Sequence, residues 1–138
     1  MATTTARTAP AAPTARRRRP TLLQTSVALQ TLAIFYQATT AGLLLSTSYG
    51  ETLHSVGARV MYGASMLYLL AAVLAWRPGG GPARPVLYAT GFLVLASAQV
   101  VLGVTHHPAL HVPLGVLMFG LSLVDLVRAL LAGRPDGR

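Results

Sequence analysis

Cysteine and lysine are both absent from the 138 residues of this chain, and only three residues are acidic. Without cysteine the chain can form neither a disulfide nor a thiolate metal site, so iron–sulfur clusters and thiol catalysis are excluded. Charged residues make up 10% of the chain, compared with roughly 25% in soluble domains. Hydrophobic residues make up 53% of it, and the composition is therefore that of a membrane protein.

Four long apolar stretches account for most of the chain: 22–45, 54–76, 86–104 and 110–131. Each is close to the roughly 20 residues that an α-helix needs to cross the hydrocarbon core. None of them alternates strictly between apolar and polar residues, which favours helices over barrel strands. We predict an all-α integral membrane protein whose residues 21–132 form a four-helix up-down-up-down bundle in the lipid bilayer.

The terminal segments and the arginines predict the orientation. Residues 1–20 contain no large apolar side chain after Met1, so we predict a disordered basic tail, and a short C-terminal tail at 133–138. Ten of the 11 arginines precede the first span, separate the second from the third, or lie towards the C-terminus. By the positive-inside rule both termini are cytoplasmic, and the basic block is an orientation signal, so we expect no nucleic-acid partner. Abundant Ala, Arg and Gly without Lys suggest a bacterial cytoplasmic membrane protein.

The four histidines all fall at the opposite, outer face: His54, His106, His107 and His111. His54 and His111 open the second and fourth spans, which run in the same direction in the predicted bundle and so place both rings at a similar depth. Two imidazoles that bind one iron from opposite sides give a low-spin haem suited to electron transfer. We therefore predict that His54 and His111 are the axial ligands of haem b or a related haem.

Three further residues are predicted to contact the cofactor beside this histidine pair. Gly57 and Gly115 lie three and four residues after the two histidines, on the same helical faces, where glycine would let a flat macrocycle approach the backbone. Arg59 lies near the outer boundary, where its guanidinium could pair with a haem propionate.

Two other interpretations remain open from the residues alone. The histidines could be ordinary residues of the wet interface, in a non-catalytic membrane subunit or assembly factor without a cofactor. They could also form an outer-face zinc or copper site, in which His107 and His111 are four residues apart. Pro108 weakens that second interpretation, because it is expected to delay the helix start until after His107.

Three short motifs resemble one four-helix half of the heme A synthase family: Glu51-x-x-His54, Gln99-x-x-x-Gly103, and His111 within LHVPLG. That family contains two such halves in tandem, each with a histidine pair at the outer ends of its second and fourth helices. The resemblance implies that His54 and His111 bind haem and that Glu51 is a catalytic carboxylate. It covers the second to fourth spans and is weaker over the first.

This chain departs from that family in two respects. It has only one half, which a homodimer could complete to eight helices, and Ser55 follows His54 where the family leads us to expect arginine. The resemblance therefore implies a haem-binding relative that acts in electron transfer or haem handling, with respiratory or haem-pathway membrane proteins as partners. It leaves open whether the protein is an enzyme.

Two further pairs of polar residues lie within the spans. Gln30 and Gln37 are seven residues apart and share one face of the first span, where we expect them to pack inside the bundle. Asp125 and Arg128 are three residues apart in the fourth span, and we expect a local ion pair between them.

Overall fold

The computed structural model describes residues 21–132, and in that range it contains four α-helices and no strand: α1 (Leu22–Leu44), α2 (Gly50–Trp76), α3 (Arg84–Val104) and α4 (Pro108–Ala132). The prediction of an all-α fold is confirmed. The predicted N-terminal and C-terminal tails, residues 1–20 and 133–138, lie outside the described residues.

Each of the four helices is long and apolar enough to cross a membrane. The distribution of side chains supports this conclusion, because many large apolar residues are on the outside of the bundle, among them Leu32, Leu87 and Val116. Serine, threonine and glutamine side chains are buried inside, including Ser65, which is fully covered. Exposed leucine and valine around a partly polar interior are stable in lipid, where the hydrophobic effect does not drive them inward. The chain is a multi-pass membrane protein.

Local sequence explains where three of the helices begin. At the start of α1, the hydroxyl of Thr21 accepts the backbone N–H of Gln24, while the Gln24 side chain accepts the backbone N–H of Thr21, which is a capping box. Pro85 lies in the first turn of α3, where no backbone N–H is needed. The α4 helix begins at Pro108, directly after His107, as predicted.

The second helix begins at Gly50, so it starts four residues earlier than predicted and places His54 one turn inside the helix. Gly50 lies against the end of α1, and a Cβ at this position would lie 2.3 Å from the backbone oxygen of Leu43. Only glycine allows the two helices to meet this closely. Hydropathy alone did not show this start, because the first turn of α2 contains Glu51 and Thr52.

The helices pack as a closed ring, in which α1 contacts α2 and α4, and α3 also contacts α2 and α4. In this ring α2 lies diagonally across from α4. Small residues such as Ala72, Ala89 and Ala96 are completely buried between the helices and allow close approach of their backbones. Two apolar clusters fill the centre, one around Met61 and Met118 and the other around Val27.

Tyr68 connects α2 to α4 across the centre of the helix bundle. Its side chain is 1% exposed, and its hydroxyl donates a hydrogen bond to Asp125. The guanidinium of Arg128 instead lies over the ring of Tyr88, at 5.6 Å from the ring centre. The expected pairing of Asp125 with Arg128 is therefore replaced by two contacts to tyrosines, because each side chain reaches a different neighbouring helix.

We predict that Tyr68→Phe destabilises the bundle by about 1–3 kcal/mol, because it removes the donor of a partly buried acceptor, the Asp125 carboxylate. Replacing Asp125 with leucine in the same chain should recover much of this loss, since neither polar group is then left without a partner. Unfolding of the detergent-solubilised protein by heat or dodecyl sulfate provides the measurement. An unchanged midpoint for Tyr68→Phe would show that this contact does not stabilise the bundle.

Candidate functional site

The rings of His54 and His111 lie beside each other between α2 and α4. Their centres are 6.2 Å apart and their planes meet at 66°. His54 is the fifth residue of α2 and His111 the fourth of α4, so both lie about one turn inside their helices. The structure thus brings together the two histidines that were predicted from the sequence to form a ligand pair.

His111 is held by a reciprocal pair of hydrogen bonds to one residue of α3. Its Nδ1 lies 3.0 Å from the backbone oxygen of Gln99, and the side-chain nitrogen of Gln99 donates to the backbone oxygen of His111 at 2.8 Å. A carbonyl oxygen can only accept, so Nδ1 of His111 carries the proton. In the neutral ring Nε2 is then an unprotonated nitrogen with an available lone pair.

His54 also carries its proton on Nδ1, but for a different reason. Its Nδ1 lies 3.2 Å from the hydroxyl oxygen of Thr40, whose own proton is donated to the backbone oxygen of Gln37. Its Nε2 lies 3.3 Å from the side-chain nitrogen of Gln37, which can only donate. Nε2 of His54 is therefore the acceptor, and Nδ1 donates to Thr40.

The orientation of the Gln37 amide is fixed by a second contact. The same side-chain nitrogen donates to the backbone oxygen of His54 at 3.0 Å. If the amide were reversed, its oxygen would face that carbonyl oxygen, and two acceptors would be opposed. The unprotonated Nε2 of His54 follows from this orientation.

The α1–α2 and α3–α4 helix pairs present their histidines in a similar way. In each, a glutamine of the first helix donates its amide N–H to the backbone oxygen of the histidine on the second, Gln37 to His54 and Gln99 to His111. This contact joins the helices of each pair at the level of the histidines. Neither glutamine–histidine contact could be predicted from the sequence. Gln37 and His54 are 17 residues apart whereas Gln99 and His111 are 12 residues apart, so no shared spacing marks the two pairs.

The two glycines predicted to contact the cofactor lie against the glutamine side chains. A Cβ on Gly57 would lie 2.2 Å from the side-chain oxygen of Gln37, and one on Gly115 would lie 2.9 Å from the side-chain nitrogen of Gln99. Both glycines therefore make room for glutamine, and Gly115 also lines the cavity beside the histidines. Gly103 similarly makes room for the ring of His111, since its Cβ would lie 3.2 Å from that ring.

A cavity of about 280 Å³ lies next to the histidine pair. Its polar lining residues are both histidines, Gln37 and Gln99, and the other lining residues are apolar: Ile34, Ala38, Ala41, Met61, Val112, Gly115, Val116, Met118 and Phe119. Most of these residues belong to α1 and α4. The cavity is therefore an apolar space lined also by two imidazoles and two amides.

The cavity is partly open between α1 and α4. Val112 and Val116 line it and are also 59% and 69% exposed on the outside of α4. The rings of Phe35 and Phe119 also meet between these two helices, with centres 5.9 Å apart, and Phe35 is exposed on the outside of α1. The opening therefore faces the surface of the bundle that lipid would cover.

Two other predicted site residues, Glu51 and Arg59, do not line this cavity. Glu51 is exposed in the first turn of α2 and does not line the cavity. A carboxylate in the first turn of a helix is stabilised by the helix dipole. Arg59 is also exposed and does not line the cavity, because it lies five residues after His54 on a different face of the helix.

His106 and His107 are exposed in the connection between α3 and α4, where His106 has a positive φ of 56°. They are not among the cavity-lining residues. Within residues 21–132 no group of three or more His, Cys, Asp or Glu side chains could hold a metal ion. The structure thus brings two histidines together and not the three nitrogens that a zinc or copper site would need.

Comparisons with models of protein families, with curated proteins and with solved structures found no match for this chain. The site therefore has to be interpreted from its own geometry. That geometry defines a membrane helix bundle with a paired-histidine cavity.

We predict that Gly115→Ala weakens the α3–α4 contact, because the added methyl group displaces the Gln99 amide from the His111 carbonyl. The matched control is Gly120→Ala on the same helix, where a Cβ meets nothing within 4 Å. Both changes gain helix propensity, so the comparison isolates a loss of about 1 kcal/mol for the hydrogen bond. Thermal unfolding in detergent measures it, and equal midpoints for the two variants would contradict the contact.

Proposed function

We propose that this protein binds one haem in the cavity, with His54 and His111 as the two axial ligands, and that it acts in electron transfer or haem handling at the membrane. The observation that supports this most directly is the separation of the rings. Two imidazoles bound to one metal through nitrogens at about 2 Å have ring centres about 6 Å apart. The two ring centres here are 6.2 Å apart.

The protonation of the rings supports the same proposal. A histidine that binds a metal usually donates its other ring N–H to a carbonyl or another acceptor, which orients the ring and makes the free nitrogen a better ligand. His111 donates to the Gln99 carbonyl and His54 to the Thr40 hydroxyl. Both rings therefore have an unprotonated Nε2, the form of the nitrogen that can bind a metal.

The shape and lining of the cavity fit a large apolar group. Its volume of about 280 Å³ is near the lower end of the 300–1,000 Å³ that is usual for ligand pockets, so a porphyrin would extend through the opening between α1 and α4. The apolar side chains around the opening, such as Val112, Val116 and Ala41, would contact the macrocycle. A zinc ion alone would leave most of this space unfilled.

Two histidine ligands would leave no open coordination position on the iron, and such haems carry single electrons rather than bind oxygen. The residues of this chain would then hold the iron, orient the two rings through Gln99 and Thr40, and exclude water with an apolar lining. Glu51 lies outside the cavity, so the geometry gives no support for oxidation of a haem substituent by this chain alone.

The proposed kinship with one half of the heme A synthase family fits this arrangement. In such a protein two chains could form an eight-helix homodimer in a bacterial cytoplasmic membrane, with termini in the cytoplasm and with respiratory or haem-pathway membrane proteins as partners. These further features are part of the proposal, and they rest on the sequence motifs and the arginine distribution.

Protein purified from cells supplied with haem should have a Soret absorption band at one haem per chain. We predict that His54→Ala and His111→Ala each abolish six-coordinate, low-spin haem, because each removes one axial ligand. His107→Ala is the matched control, since this histidine lies outside the cavity and its loss should leave the spectrum unchanged. Absorption spectra of the oxidised and reduced forms measure the effect.

Colourless protein after haem supplementation would overturn the proposal. A spectrum that survives both His54→Ala and His111→Ala would place the haem elsewhere. If the colourless protein instead co-purified with a larger complex and both variants remained competent in it, the bundle would be a docking subunit without a cofactor.

A further inference from the structure

The two histidines of the site are not equally accessible to a ligand. The side-chain nitrogen of Gln37 lies 3.3 Å from Nε2 of His54, on the lone pair that a metal would use. The Gln99 amide contacts the backbone of His111 and leaves the ring nitrogen Nε2 alone. The site therefore has one capped histidine and one open histidine.

The cap is held in a way that makes it displaceable. The Gln37 amide donates twice to His54, to the ring and to the backbone oxygen, but its own oxygen is buried without a hydrogen-bond partner. Buried acceptors without a donor cost free energy, so the capped position is only partly stabilised. Gln37 also lines the cavity, which gives its side chain space into which it can turn.

We propose that Gln37 is a reversible cap on His54, so that the cofactor binds first to His111 and joins His54 only after the Gln37 amide has turned away. The identity of the cofactor rests on the proposed function, whereas the capping itself concerns the free protein. In the absence of cofactor the cap supplies a donor to a nitrogen that would otherwise lie unpaired next to an apolar cavity. Gln37 is accordingly a positioning residue that sets the order of ligation.

The structure offers two independent ways to remove the cap. Gln37→Leu replaces the amide with an apolar side chain of similar size. Gly57→Ala keeps Gln37 but places a methyl group 2.2 Å from its side-chain oxygen, so the amide can no longer lie against α2. Gln30→Leu is the matched control, since Gln30 lies seven residues earlier on the same helix, is 1% exposed, and does not line the cavity.

The capping is tested in haem-free protein with diethyl pyrocarbonate, which acylates unprotonated imidazole nitrogens, followed by mass mapping of the four histidines. We expect His111 to react several-fold faster than His54 in the native chain, with exposed His106 and His107 as internal references. In Gln37→Leu and Gly57→Ala, His54 should react as fast as His111, whereas Gln30→Leu should leave the ratio unchanged. Equal rates in the native chain, or an unchanged ratio in both uncapped variants, would overturn the proposal.

Titration with haemin separates this inference from the proposed function. If Gln37 competes for His54, Gln37→Leu should bind haemin about fivefold more tightly than the native chain, the equivalent of one neutral hydrogen bond. Unaltered affinity and an unaltered proportion of six-coordinate haem would contradict the competition while leaving haem binding intact. If no variant binds haemin, the proposed function fails, and the acylation ratios alone decide whether Gln37 caps His54.

Discussion

In the cofactor-free protein two glutamine amides hold the histidine pair in register. Gln37 joins α1 to α2 and Gln99 joins α3 to α4, each by a bond from its side chain to the backbone oxygen of a histidine. Lipid provides no hydrophobic driving force between apolar helices, so such bonds and close packing of small residues determine how helices meet. In the cofactor-free protein these two contacts act together with close packing of small residues, such as Gly50 against α1, to set the heights of His54 and His111.

The distribution of polar groups follows from the same constraint. In a membrane the interior of the bundle is where polar side chains find partners, and Thr31 accordingly bonds to backbone oxygens of α1 and α4, while Tyr68 bonds to Asp125. At the other end of the bundle the glutamines and histidines satisfy most of each other's groups. The buried oxygens of Gln37 and Gln99 remain without partners, which marks this region as incompletely satisfied.

Hydropathy was enough to predict four helices and to place His54 and His111 near helix starts, because length and composition directly reflect the thickness of the bilayer. It was harder to predict which side chains of each helix point towards the histidines. Spacing put Gly57 on the histidine face, but only the structure shows that a glutamine from α1 fills the space beside it. Glu51 was predicted as a site residue from a short motif, and Arg59 from its position near the outer membrane boundary. Neither criterion determines which way a side chain points around a helix.

In the proposed function, one chain supplies both ligands to one haem. A crystal or cryo-electron-microscopy structure of the protein isolated from haem-supplied cells tests it most directly. We predict a porphyrin between α1 and α4, with its iron about 2 Å from Nε2 of both His54 and His111 of the same chain. A cavity without porphyrin, or an iron bound by histidines of two different chains, would contradict it.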